Sequence, residues 1–102
     1  MFVVSNRVFV APDFAAQFEE RFRKRAGQID RQAGFVSLNI LRPASEGAPY
    51  VVQTVWEDQR AFKAWIGSED FKLAHSNPMP KEAFKADGAL EQHEIIISAQ
   101  RA

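Results

Sequence analysis

The chain contains no cysteine, so it forms no disulfide and offers no thiolate to zinc, to an iron–sulfur cluster or to a heme iron. Any metal ion would have to be held by His, Asp, Glu, Tyr or similar groups. Charge of one sign is also missing: 13 Lys and Arg balance 13 Asp and Glu, for a formal net charge of +0. With no basic cluster denser than Arg21, Arg23, Lys24 and Arg25, the chain lacks the footprint that neutralises nucleic-acid phosphates, and no nucleic-acid partner is expected. No apolar run approaches membrane-spanning length, and the first residues, Met1 to Arg7, have no basic region followed by an apolar stretch and a cleavage site. The expectations are no membrane partner and a cytoplasmic location. There is no Gly-x-Gly-x-x-Gly, phosphate-binding loop, Gly-x-Ser-x-Gly elbow or His-Glu-x-x-His. At 102 residues the chain is too short for a TIM barrel or a full doubly wound dinucleotide-binding domain.

What is present is the composition of one globular domain, 46% apolar and 25% charged. Residues 2 to 10 alternate as a strand, with Phe2, Val4, Asn6, Val8 and Val10 on one face and Val3, Ser5, Arg7 and Phe9 on the other. Pro12 and Asp13 open a helix in which Phe14, Phe18, Phe22, Ala26 and Ile29 recur every three to four residues, running to near Gln32 before Gly34 stops it. A second strand spans 35 to 42, with Val36, Leu38 and Ile40 as an apolar face, and a third spans 50 to 57. From Asp58 a helical pattern runs through Ala61, Phe62 and Trp65, breaks at Gly67-Ser68, and resumes with Ser68 as N-cap until Pro78. Residues 76 to 89 read as a loop with a short turn near Glu82 to Lys85, and the last strand covers 90 to 99, centred on Ile95 to Ile97. Strand, helix, strand, strand, helix, strand is the order of a ferredoxin-like α+β sandwich with an antiparallel sheet. Helices cover only one face of such a sheet, yet both faces carry apolar residues, which predicts a homodimer packed sheet to sheet.

Five positions are candidates for chemistry. Asn6 interrupts an apolar strand face; if buried, its amide needs a backbone or water partner, and the alternative is an amide facing a ligand pocket. His75 follows Phe71 by one helical turn and borders the Pro-rich segment, as either a satisfied residue or a ligand. Trp65 beside the break is placed to fill the core or line a cavity, whereas Trp56 fits strand-end packing and His93 a solvated strand start.

Ser5-Asn6-Arg7, Glu20-Arg21-Phe22, Gly34-Phe35, Thr54-Val55-Trp56 and Ala61-Phe62-Lys63-Ala64-Trp65, followed by Phe71-Lys72-Leu73-Ala74-His75, stand in an order and spacing that resembles the IsdG-type heme-degrading monooxygenases. These lie within the antibiotic-biosynthesis-monooxygenase superfamily of dimeric α/β barrels. The resemblance spans nearly the whole chain and implies a single such domain over residues 1–102. It implies that His75 ligates heme iron, that Asn6 hydrogen-bonds on the distal side where oxygen acts, and that Trp65 presses on the macrocycle. Phe22 and Phe71 would line the heme pocket, the segment from Ser76 to Gly88 would cover it, and Lys81 and Lys85 could meet the propionates. Heme would be substrate and cofactor together, opened with O2 and an external electron donor, still unidentified, to free iron and a linear tetrapyrrole. The alternatives are a cofactor-independent monooxygenase of polycyclic aromatic substrates and a non-catalytic heme-binding protein.

Overall fold

Alternation in the first strand, β1 (Phe2–Val8), sorts its residues between two environments. β1 is central: it pairs antiparallel with β3 (Tyr50–Trp56) on one side and β4 (Ala89–Glu94) on the other, and β2 (Phe35–Leu41) lies outside β3, giving the order β2-β3-β1-β4. In register, Phe2 stands opposite Trp56, Val4 opposite Thr54 and Asn6 opposite Val52. Phe2, Val4, Tyr50, Thr54 and Trp56 are buried on this face, beneath α1 (Ala15–Arg25), α2 (Gln59–Ile66) and α3 (Glu69–Ala74). The computed structural model describes residues 1–25 and 28–101, and within them the ferredoxin-like order expected from the sequence is complete.

Two apolar clusters fix the helices to the sheet. Phe2, Val4, Trp56, Phe62 and Trp65 form one, and Val10, Phe18 and Tyr50 the other. Each such side chain, fully buried, contributes about 1.5–3 kcal/mol through burial. At the second cluster, Glu19 of α1 accepts from the Tyr50 hydroxyl and from Arg42, whose Nε lies 2.9 Å away. The hydrogen bonds from Arg42 and Tyr50 lower the Glu19 carboxyl from 4.5 to about 2, while burial and the Glu19 partner push the Tyr50 phenol up. At Gly34, with φ of 80°, a Cβ would stand 2.5 Å from that of Ala61, so the missing side chain lets α2 close against the start of β2.

Four boundaries differ from the sequence reading. Val36 does not share a face with Leu38 and Ile40: an irregularity between Phe35 and Ser37 shifts the register, so Phe35 sits opposite Trp56 while Val36 is 44% exposed. One inserted residue reverses the alternation. The first helix ends at Arg25 and a separate 3-10 turn forms at Ile29–Arg31; Ala26, expected on the helix's apolar face, lies outside the described residues. Val10 is buried but beyond β1, bridging to Phe84 instead. β4 ends at Glu94, short of the three isoleucines. Its last link to the first strand is the Ile95 N–H to the Met1 carbonyl, 2.9 Å, and beyond it Ile96 and Ile97 are 86% and 85% exposed because no neighbouring strand of this chain lies beside them.

Candidate active site

Between the helices and the sheet lies a cavity of about 240 Å³, slightly below the range of about 300–1,000 Å³ usual for small-molecule sites. The five residues that the resemblance puts at the iron, its distal side and the pocket wall line it: Asn6 from β1, Phe22 from α1, Trp65 from α2, and Phe71 and His75 from α3 and its end. Val4, Leu38, Val52 and Thr54 line it from the sheet and Phe62 from α2, and the exposed side chains of Ile66 and Leu90 line it as well.

The Trp65-to-His75 stretch is assembled by a hydroxyl at the helix break. Ser68 Oγ donates to the Trp65 carbonyl at 2.6 Å and accepts from the Phe71 N–H at 3.1 Å, capping α3. His75 closes the same helix, and its Nδ1 lies 2.8 Å from the Phe71 carbonyl oxygen. A carbonyl oxygen only accepts, so Nδ1 carries the proton and the second ring nitrogen, Nε2, is left for a ligand. The imidazole lies over the Phe71 ring at 4.0 Å between centroids; Phe71 meets Trp65 edge to face at 5.4 Å, and Trp65 stacks on Trp56 at 6.4 Å. Trp56 is fully buried and donates from Nε1 to Thr54 Oγ1 at 2.9 Å. It is the packing residue the sequence suggested, and it gives Trp65 a rigid backing.

Asn6 is exposed rather than buried and makes no side-chain hydrogen bond among the described residues. Of its two readings, the structure favours the amide that faces a pocket. Gly88 passes close to it: a Cβ there would stand 2.5 Å from the Arg7 carbonyl oxygen and 4.0 Å from Asn6 Oδ1, so glycine lets the chain approach β1 closely beside Asn6. His93 is solvent-exposed on β4 and takes no part.

The segment from Ser76 to Gly88 does not line the cavity, nor do Lys81 and Lys85. Backbone bonds fasten it instead to the end of the first strand, Ala11 N–H to the Ala83 carbonyl at 2.6 Å and Lys85 N–H to the Phe9 carbonyl at 2.9 Å, around a 3-10 turn at Lys81–Ala83. Arg21 of α1 also donates to the Asn77 carbonyl. Sequence reasoning missed Gln28 and Leu90 as wall residues. Leu90 had a signal in the strand alternation, opposite Asn6, whereas Gln28, between two helical segments, had none. Among the described residues no three His, Cys, Asp or Glu side chains gather as a metal site.

Residues 1–77 match the antibiotic biosynthesis monooxygenase family. The chain belongs to that family. It is 38% identical over 79 residues to a Staphylococcus haemolyticus protein named heme oxygenase (staphylobilin-producing), covering 76% of this chain and 75% of that one. A Staphylococcus epidermidis protein of the same name is 32% identical over 100 residues, 96% of this chain and 91% of that one. Among solved structures, the Mycobacterium tuberculosis heme-degrader MhuD with two hemes bound in its active site is 25% identical, with a TM-score of 0.82 over 98% of this chain and 100% of that one. This family member thus has the α+β fold of a heme-bound relative. Among its described residues no helix is long and apolar enough to cross a membrane.

Proposed function

We propose that this protein is a heme-degrading monooxygenase that opens the porphyrin with O2 and electrons from an external donor, releasing iron and a linear tetrapyrrole. The observation that carries the reading is His75: one imidazole, its Nδ1 committed to the Phe71 carbonyl, in an apolar cavity that also holds an unpartnered amide. A metal ion held by protein side chains alone would need several donors, whereas heme carries its iron already bound and would need only one donor from the protein, which His75 would supply. The heirs of heme degradation named among the relatives, and the heme-bound neighbour, support the same assignment.

Heme, when bound, supplies the iron that activates O2; the chain's own residues do the rest. His75 would hold the iron of a bound heme through Nε2, and the hydrogen bond at Nδ1 fixes the ring orientation and raises its basicity. Asn6 presents amide N–H groups able to steady developing negative charge. Trp65, backed by Trp56, would bear on a bound macrocycle, and Phe22 and Phe71, which line the same cavity, would keep water from it. A homodimer is part of this reading: the uncovered sheet face carries Val3, Val51 and Val55, and two chains packed through it, with Ile95 to Ile97 at the edge, would form an α/β barrel. So is a cytoplasmic location.

The test is a titration of the purified protein with hemin, followed by ascorbate in air with catalase present. A saturable Soret band that decays on reduction is the expected result, and His75→Ala is expected to lose the axial ligation while retaining its fold. A protein that forms no Soret complex sinks the reading and returns attention to polycyclic aromatic substrates. A complex that survives reductant leaves a heme-binding protein without turnover.

A further inference from the structure

Gln32 lies outside the cavity and joins two stretches of its wall. The first is the segment from Gln28 to Gln32, from which Gln28 and Ile29 line the cavity; the second is α3 and its end, from which Phe71, Ala74 and His75 do. The backbone of Gln32 is fixed at both polar atoms: its N–H donates to the Ile29 carbonyl at 3.1 Å, and its carbonyl accepts from the Phe35 N–H at 3.2 Å. From this post the half-buried side chain reaches across, and its Nε2 donates to the Asp70 carboxylate of α3 at 2.8 Å and to the Gln28 carbonyl at 3.2 Å. A primary amide has two N–H donors, so both bonds form together, and the one to the carboxylate is the stronger kind.

The helix that carries the histidine needs such a tie. With 6 residues, α3 is too short to keep its shape or direction unaided. Ser68 fastens its first turn to the end of α2, and a single attachment at a break in the chain acts as a pivot. Phe71 and Ala74 pack against the core, but apolar contact is non-directional. The bond from Gln32 to Asp70 is a second directional attachment, made to a different part of the fold. Its effect grows toward His75: about 10 Å of helix axis separates the break from the histidine, so a tilt of about 10° would carry the imidazole about 2 Å.

We propose that Gln32 is a positioning residue, whose side-chain amide sets the direction of α3 through Asp70 and so holds the His75 imidazole in place at the cavity. The proposal deepens the reading in which His75 is the ligand-binding group and rests on it. Gln32 touches no ligand and acts through the histidine.

The experiment compares wild type with three variants: Gln32→Met, which keeps the length of the side chain and removes the amide; Gln32→Glu, which sets a second carboxylate against Asp70; and Gln32→Glu with Asp70→Asn, which rebuilds the bond with donor and acceptor exchanged. Nuclear magnetic resonance of the heme-free protein follows the ring protons of His75 and Trp65, whose shifts report how the aromatic chain from Trp65 through Phe71 to His75 is aligned; hemin titration follows the Soret band. Gln32→Met is expected to move both sets of ring signals and to weaken hemin binding about tenfold. Gln32→Glu should exceed it in each, and the double variant should return both toward wild type. A Gln32→Met protein that melts earlier but keeps wild-type ring signals and hemin affinity overturns the proposal, since the bond is then merely structural. A double variant no nearer wild type than Gln32→Glu overturns it as well. A wild type that binds no hemin removes the heme reading of the cavity, while the heme-free ring signals and their rescue still decide whether Gln32 places His75.

Discussion

Thr54→Val tests the link between the buried core and the cavity wall. Thr54 Oγ1 is the acceptor for the Trp56 indole N–H at 2.9 Å, Trp56 has no exposed surface, and Trp65 stacks on it from the cavity side. Valine matches the shape of threonine, so the substitution opens no cavity and isolates the hydrogen bond. Leaving the indole N–H buried without a partner costs about 1–3 kcal/mol, and the methyl that replaces the hydroxyl returns at most ~0.8 kcal/mol. The net loss is thus about 1–2 kcal/mol, and at about 4–8 °C per kcal/mol for a domain near 100 residues the melting temperature should fall by roughly 5–15 °C. Thermal unfolding followed by far-ultraviolet circular dichroism measures it, with Trp56→Phe and the double variant completing a cycle. If Thr54→Val melts within a degree of wild type, and Trp56→Phe costs the same in both backgrounds, the bond does not stabilise the core and the backing of Trp65 has another source.

Gly34→Ala should destabilise the fold by about 1–3 kcal/mol, because a methyl at positive φ and 2.5 Å from Ala61 forces the chain apart; a chemical denaturation midpoint equal to wild type would refute the close approach. Glu19 has a carboxyl lowered to about 2 in the fold from 4.5, so its stabilising contribution is complete above pH 4.5 and is lost as pH falls toward 2. Glu19→Gln should therefore flatten the acid limb of a melting-temperature profile, and parallel limbs in the two proteins would contradict it. Asn6→Ala, which removes an amide that bonds nothing in the chain, should leave stability within about 0.5 kcal/mol of wild type while slowing decay of the Soret band; normal decay would take Asn6 out of the site. Ile96→Asp with Ile97→Asp should shift the protein from dimer to monomer in light scattering at micromolar concentration, and an unaltered mass would exclude the tail from the interface.

The layout of the sheet and the three cavity-lining helices was legible in the sequence because each element announces itself by a periodicity that burial enforces. Phe2 and Val4 stand two residues apart, as do Thr54 and Trp56, and Phe14, Phe18 and Phe22 recur every fourth residue, and the structure buries Phe2, Val4, Thr54, Trp56 and Phe18 among them. The grouping of Asn6, Trp65 and His75 came from resemblance, since no local spacing in the chain reports that a strand and two helices meet at one cavity. Other features escaped for identifiable reasons. A single-residue irregularity at Val36 is invisible to a count of alternation, yet it turns Val36 away from the face that carries Leu38 and Ile40. Ile96 and Ile97 have the composition of a strand but lie past Ile95, the last residue bonded back to the start of the chain. The resemblance implies that the Pro-rich segment covers the pocket, and it is instead held by backbone bonds to Phe9 and Ala11, which no side-chain pattern reveals.

The break between α2 and α3 sets a distance. Were residues 65 to 75 one uninterrupted α-helix, Trp65 and His75 would be separated by about 15 Å along the axis and about 80° around it, and no single flat ligand of modest size would meet both squarely. Because Ser68 ends one helix and begins the next, ten residues of chain return to a common hollow. Counting residues between a tryptophan and a histidine is therefore a poor guide to kinship of function. A chain that kept both aromatics but replaced the residue at the break with a strong helix former would preserve the letters and lose the gauge, and the feature to seek in distant sequences is the small hydroxyl three places after the tryptophan.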